Sequence, residues 1–141
     1  SDLGYSGKCG LFDLSDGRQV IDFRYDDITL LGFNRALGKD GSRRYLLDTS
    51  TGDVIASLPP NIGAAHFNET PVTWIFRAKS YYGIIDEEGN ILYEDAKDPL
   101  TGVTKFRHGF SGGQKDNKKW GILKSDGTWL VHPTYDYIKL L

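Results

Sequence analysis

The sequence is short of most of the residues that announce chemistry. A single cysteine, Cys9, stands in 141 residues. No internal disulfide can form, which excludes the usual staple of small secreted domains; a reducing, cytoplasmic setting is expected. Methionine is absent and proline numbers only 5. No apolar run approaches the roughly 20 residues that cross a bilayer. The opening "SDLGYSGKCG" lacks a basic stretch followed by an apolar one, so neither a membrane span nor an export signal is read. A net charge of −2 is too small to draw the whole molecule onto nucleic acid or an anionic membrane. No phosphate-cradling loop or dinucleotide fingerprint occurs. His66, His108 and His132 lie 42 and 24 residues apart with no close His or Cys at ligand spacing. They read as structural or surface histidines, and no metal or other cofactor is expected.

What the chain does have is glycine and aromatic rings: 17 Gly, 8 Tyr, 7 Phe and 3 Trp. Aromatic residues fit a pleated, half-buried surface and glycine supplies tight turns, so an all-β fold is expected. The length suits a single domain over residues 1–141.

Four segments align on a short apolar pair and a glycine-bearing turn: "KCGLFDLSDGRQVI" from Lys8, "RRYLLDTSTGDVIA" from Arg43, "YYGIIDEEGNILY" from Tyr81 and "KWGILKSDGTWLV" from Lys119. Their third residues, Gly10, Tyr45, Gly83 and Gly121, are 35, 38 and 38 residues apart. The turn glycines Gly17, Gly52, Gly89 and Gly127 follow at 35, 37 and 38. A fixed period of this size marks an array of supersecondary units, with repeats at about 8–42, 43–80, 81–118 and 119–141. Each unit reads as an antiparallel hairpin whose turn glycine takes positive φ. Asp13, Asp48 and Asp86 end three of the first strands, where a carboxylate accepts from turn N–H groups, and Lys124 takes that place in the fourth. The first two turns are one residue longer than the last two. A third element precedes each later hairpin and carries Phe33, Phe67 or Phe106 some 12 to 16 residues before the next anchor.

"GFSGG" at 109–113 matches the glycine-serine-glycine elbow of serine hydrolases. In the repeat alignment, however, Gly109, Phe110 and Ser111 fall where the first copy has Arg35, Ala36 and Leu37, which puts Ser111 on a strand followed by a polar turn and another strand. An elbow needs a strand running into a helix, and "QKDNKKWGIL" offers none. Ser111 is therefore read as structural and the chain as a non-enzyme.

The segments "KKWGILKSDGTWLVHPTYDYI" and "GKCGLFDLSDGRQVIDFRYDDI" resemble the WG (KWG) repeat family of bacterial proteins. The fourth copy carries Trp120, Gly121, Gly127, Pro133, Tyr135 and Asp136. The first keeps Gly10, Asp13, Gly17, Tyr25 and Asp26 with Cys9 in place of Trp, the third has Tyr82 for Trp, and the second has Arg44 and Tyr45 for Trp and Gly. The resemblance implies four degenerate hairpin units. A hairpin cannot bury its apolar face alone, so Trp120 or Tyr82 would cover a neighbouring unit and the adjacent glycine would admit a close backbone.

Charge is unevenly spread. Residues 86–98 hold Asp86, Glu87, Glu88, Glu94, Asp95 and Asp98 against Lys97; residues 105–124 hold Lys105, Arg107, Lys115, Lys118, Lys119 and Lys124 against Asp116. One reading is solvated hairpin faces that partly pair across the sheet. The other is a docking face for a basic partner, whose association complementary potentials accelerate. The expected function is a non-catalytic protein-binding module. An immunity or inhibitor protein that neutralises a basic toxin domain through the acidic cluster is the specific expectation. A carbohydrate or other ligand binder using exposed aromatics such as Trp120 and Trp129 is the alternative, and a small hydrolase using Ser111 comes third.

Overall fold

The computed structural model describes residues 7–68 and 70–141. Among them the chain is all strand and turn: β1 (Cys9–Asp13), β2 (Arg18–Tyr25), β3 (Asp27–Gly32), β4 (Arg35–Asp40), β5 (Arg43–Asp48), β6 (Val54–Leu58), β7 (Gly63–Ala64), β8 (Val72–Arg77), β9 (Ser80–Asp86), β10 (Ile91–Glu94), β11 (Gly102–Val103), β12 (Phe110–Gln114), β13 (Trp120–Lys124) and β14 (Trp129–Tyr135). No helix among the described residues is long and apolar enough to cross a membrane. β1 and β2 form a two-stranded hairpin. Three four-stranded antiparallel sheets follow, each in chain order: sheet I (β3 to β6), sheet II (β7 to β10) and sheet III (β11 to β14). The expected hairpins are β1–β2, β5–β6, β9–β10 and β13–β14, and the third element before each later hairpin is an inner strand pair.

The turns follow the sequence closely. Gly17 and Gly52 donate their backbone N–H to the carbonyls of Asp13 and Asp48, four residues back, whereas Gly89 and Gly127 reach Asp86 and Lys124, three back. The extra residue of the first two turns is thus absorbed in a wider loop. All four glycines have φ between +73° and +85°, which costs a side-chain-bearing residue about 1 kcal/mol or more. Asp13, Asp48 and Asp86 each accept from the backbone N–H two residues on, at 2.9, 2.7 and 2.9 Å. In the fourth turn, which has Lys124 there, Asp126 performs the same task for Thr128 at 2.9 Å.

The core lies between successive sheets. The two adjacent apolar residues of each hairpin point to opposite sides, as strand geometry requires. Leu47 faces back onto Ile21 and Tyr25 of the first hairpin, while Leu46 and Leu37 face forward onto Ile75 and Ile85 of sheet II. One repeat later, Ile84 and Trp74 face forward onto Leu123 and Phe106 of sheet III. Each four-stranded sheet thus belongs to a stack, with the first hairpin at its head.

Two expected alignments need correction. Ser111 pairs with Leu123, as Thr73 pairs with Ile85 and Ala36 with Leu47. Ser111 therefore corresponds to Ala36, one residue off the expected match with Leu37. The three are the small buried members of one repeat position. Likewise Phe67 and Phe106 correspond to Leu31, not Phe33: all three are buried, and counting back from the β3–β4, β7–β8 and β11–β12 pairings gives the same position. Phe33 lies in the tight turn after β3 at φ +54°. The β4–β5 connection is one residue shorter than the β8–β9 and β12–β13 connections, which causes the Ser111 slip, while Phe33 sits two positions past Leu31 in the turn itself.

The glycine beside the Trp position serves its own hairpin. A Cβ on Gly10, Gly83 or Gly121 would come within 3.0 Å of the carbonyl oxygen of Ile21, Tyr93 or Val131 on the return strand, where the register of each hairpin shifts at a bulge. The expected close backbone approach is present, but it comes from inside the unit. Trp120 also stays home, its ring reaching Gly102 of its own sheet. Tyr82 does cover a neighbour, packing with Leu31, Leu37 and Leu46 of sheet I.

Candidate functional site

The acidic segment occupies the outer rim of sheet II: Asp86 ends β9, Glu87 and Glu88 form the turn, Glu94 ends β10, and Asp95 and Asp98 follow. The six carboxylates are not equivalent. Asp86 accepts from the backbone N–H of Glu88 and Asn90, both at 2.9 Å, and from the Asn90 amide at 3.0 Å. Asp95 caps the next bend through the N–H groups of Lys97 and Asp98 at 3.2 and 3.1 Å. Asp98 pairs with Lys115 at 2.7 Å, so the acidic and basic segments do pair across adjacent sheets at this point. Glu87, Glu88 and Glu94 remain. None of the three has an ion-pair partner among the described residues.

Those three carboxylates frame something the sequence did not signal. β10 is the outer edge strand of sheet II, with one row of backbone N–H and C=O groups unpaired in the sheet. Ile91 and Leu92, on the strand between Glu88 and Glu94, are both exposed. The pair "IL" reads as core by composition; only the strand's place at the rim reveals it as surface. The root of the strip is fixed, because Arg35 of sheet I donates from Nε to the Glu87 carbonyl at 2.7 Å.

The basic residues divide in the same way. Lys115 is paired with Asp98 and Lys119 with Asp136. Lys105 and Arg107 instead line a cleft of about 800 Å³ at the inner turns, together with Phe33, His66, Asn68 and Phe106. His66 Nδ1 accepts from the Asn68 backbone N–H at 3.1 Å, and its ring lies over Gly32. His108 lines an adjoining hollow beside Arg107. His132 stands apart on β14.

The remaining expected site residues are structural. Ser111 is fully buried; its Oγ accepts from Trp74 Nε1 at 2.9 Å and donates to the Thr104 carbonyl at 2.7 Å. Strand β12 runs through a polar turn into strand β13, with no helix at the junction. Of the tryptophans, Trp74 is buried, while Trp120 and Trp129 are half-buried, Trp129 against the core between sheets II and III. No row of exposed tryptophans exists.

These features define an all-β module of stacked hairpin repeats with an acidic outer strip and a cationic inner cleft. Residues 120–140, the fourth unit, match the family model described as WG containing repeat. No curated protein matches the chain. Among solved structures, the crystal structure of the computationally designed Ika8 protein is similar over 88% of this chain and 42% of its own, at 12% identity and a TM-score of 0.57. BamB from Moraxella catarrhalis covers 87% of this chain and 36% of its own, at 17% identity and a TM-score of 0.47. The chain therefore spans less than half the length of the structures it resembles, and the likeness to the designed protein is one of fold alone.

Proposed function

We propose that the chain is a non-catalytic protein-binding module that docks a basic partner on the outer edge of sheet II, and that its role is that of an immunity or inhibitor protein. The observation that carries this reading is the β10 strip: an edge strand with exposed Ile91 and Leu92, flanked by the unpaired carboxylates of Glu87, Glu88 and Glu94. An open edge offers backbone hydrogen bonds to an added strand, the two apolar side chains offer burial on docking, and the carboxylates steer a cationic surface onto them. A toxin domain whose active site is basic has the complementary chemistry.

The test is titration of the chain against a panel of basic toxin domains at 50 and 300 mM NaCl. Binding should weaken at least tenfold with salt, and a further tenfold in the double variant Glu87→Lys/Glu88→Lys. Binding unaffected by both would remove the strip from the interface.

A second reading rests on the inner cleft. Lys105 and Arg107 line a hollow with His66, Phe33 and Phe106, and the two cations suit a small anionic ligand such as an acidic sugar. Thermal shift against a panel of uronic acids and sugar phosphates checks it; stabilisation should vanish in Lys105→Ala/Arg107→Ala.

A further inference from the structure

The inner cleft is built from one repeated triad. The pairings that make Leu31, Phe67 and Phe106 one position also align their neighbours, so that Leu30–Leu31–Gly32, His66–Phe67–Asn68 and Lys105–Phe106–Arg107 are the same three residues in sheets I, II and III. The middle side chain of each triad is buried. Alternation along the extended chain turns the flanking pair to the opposite side, where His66, Asn68, Lys105 and Arg107 line the cleft. Their character changes from sheet to sheet: aliphatic and glycine in sheet I, imidazole and amide in sheet II, two cations in sheet III. Gly32 leaves room for the His66 ring, whose Cε1 would lie 2.3 Å from a Cβ at that position.

Sheet I supplies the other wall through Phe33. Phe33 and Asn34 form the two-residue turn between β3 and β4, at φ +54° and +55°. The same turn in sheet III is His108–Gly109, at +53° and +83°. Asn and Gly suit such a turn, whereas a bulky Phe in the left-handed region is an outlier. Burial offsets only part of that strain. The ring rests on the buried Phe67 at 6.1 Å between centroids but is itself 42% exposed. A strained residue whose side chain faces outward points to a role beyond the fold.

Phe33 and the two cations line one cleft of about 800 Å³, the size of a small-molecule site. An adjoining hollow of about 550 Å³ shares Asn68, Phe106 and Arg107 with it. Among the described residues no carboxylate lines either space, and neither Lys105 nor Arg107 has an ion-pair partner. One wall thus offers an aromatic ring and the other uncompensated positive charge. We propose that the cleft binds a small amphiphilic acid, its flat aromatic body against Phe33 and its carboxylate, sulfonate or phosphate on Lys105 and Arg107. Ring contact supplies the apolar part of the binding, and charge-assisted hydrogen bonds supply the rest. The proposal rests on the anion-binding reading of the cleft and narrows its ligand class, since an acidic sugar would meet the cations but bring no aromatic body to Phe33.

The experiment is isothermal titration calorimetry of the full chain with naphthoate, with naphthylmethanol as its uncharged analogue and with glucuronate as a polar acid. Naphthoate should bind about tenfold more tightly than either of the others. Two variants separate the contributions. Phe33→Asn removes the ring and places in the turn a residue suited to positive φ; circular dichroism verifies its fold, and Phe33→Gly replaces it should it unfold. This variant should bind naphthoate only as well as it binds glucuronate. Lys105→Ala/Arg107→Ala should lose both acids. Glucuronate binding as tightly as naphthoate, or naphthoate binding unchanged by Phe33→Asn, overturns the amphiphilic ligand and leaves the anion site standing. A wild-type chain that binds neither acid, or acid binding that survives Lys105→Ala/Arg107→Ala, removes the anion site and the proposal with it.

Discussion

At the scale of single residues, Ser111 shows how a catalytic motif is emptied by its surroundings. Its hydroxyl is fully buried between the Trp74 indole N–H and the Thr104 carbonyl, a bridge that ties sheet III to sheet II. Removing it in Ser111→Ala leaves a buried indole donor without an acceptor, at a cost of about 1–3 kcal/mol. Urea unfolding of Ser111→Ala, Trp74→Phe and the double variant should give a coupling of at least ~0.5 kcal/mol; strict additivity would mean that the two groups do not act as a pair. Asp26 is a second such clamp. One carboxylate oxygen accepts from Lys8 at 2.6 Å and the other from the Gly41 N–H at 2.7 Å, tying the first hairpin to the β4–β5 turn. The Lys8 hydrogen bond first, then that of Gly41, holds the Asp26 carboxyl below its usual value, while the same pairing raises Lys8. A depressed folded-state value means that the stabilisation is complete above the unfolded carboxylate value near pH 4 and is lost as pH falls through the folded one. For Lys8 the sign reverses, and its share disappears only in strong alkali. Stability measured from pH 7 down to pH 2 should therefore fall in the wild type below pH 4, and the gap between wild type and Asp26→Asn should narrow over the same interval.

At the scale of elements, the hairpins were legible from sequence because two demands converge on the turn glycines. One is positive φ. The other is contact: a Cβ on Gly52, Gly89 or Gly127 would lie 1.9 Å from the Val20 carbonyl oxygen, 2.4 Å from the Ala56 Cβ and 2.0 Å from the Tyr93 ring, each on the outer strand of the preceding element. Gly17, at φ +73°, has nothing within 4 Å. The pair separates the two demands. Gly17→Ala should cost about 1–2 kcal/mol for the backbone alone, and Gly127→Ala a further ~1–3 kcal/mol for displacing Tyr93; equal losses in chemical denaturation would show that the contact adds nothing. The inner strands were less legible. β7 and β11 have two residues each, and the β4–β5 connection is one residue shorter than the β8–β9 and β12–β13 connections, so spacing alone misplaced Ser111 by one position and Phe33 by two. Pairing partners along β4, β8 and β12 restore the register, and these are contacts between segments with no local sign. The β10 strip was half legible: the carboxylates stood out as charge, whereas Ile91 and Leu92 carry no mark of exposure in the sequence, since an edge strand and a central strand draw on the same residues.

At the scale of the whole molecule, stability is distributed along one dimension, because each sheet touches only its neighbours in the stack. Sheet II alone is covered by a full four-stranded sheet on both sides, Ile75 and Ile85 meeting sheet I while Trp74 and Ile84 meet sheet III. Among the described residues, the first hairpin is covered on one side only, and the segment 136–141 has no strand partner. Backbone amides exchange by opening reactions that expose them, and the least supported units open first. Hydrogen exchange of the full chain at low concentration should thus be slowest in β8 and β9, and fastest in β1, β2 and residues 136–141. Trp74→Ala, with a cost of about 3–5 kcal/mol, should accelerate exchange in sheets II and III together while leaving the contact of β5 with the first hairpin the better protected part. Uniform protection across all sheets would instead describe a molecule whose two end faces meet each other, and the linear account of its stability would be wrong.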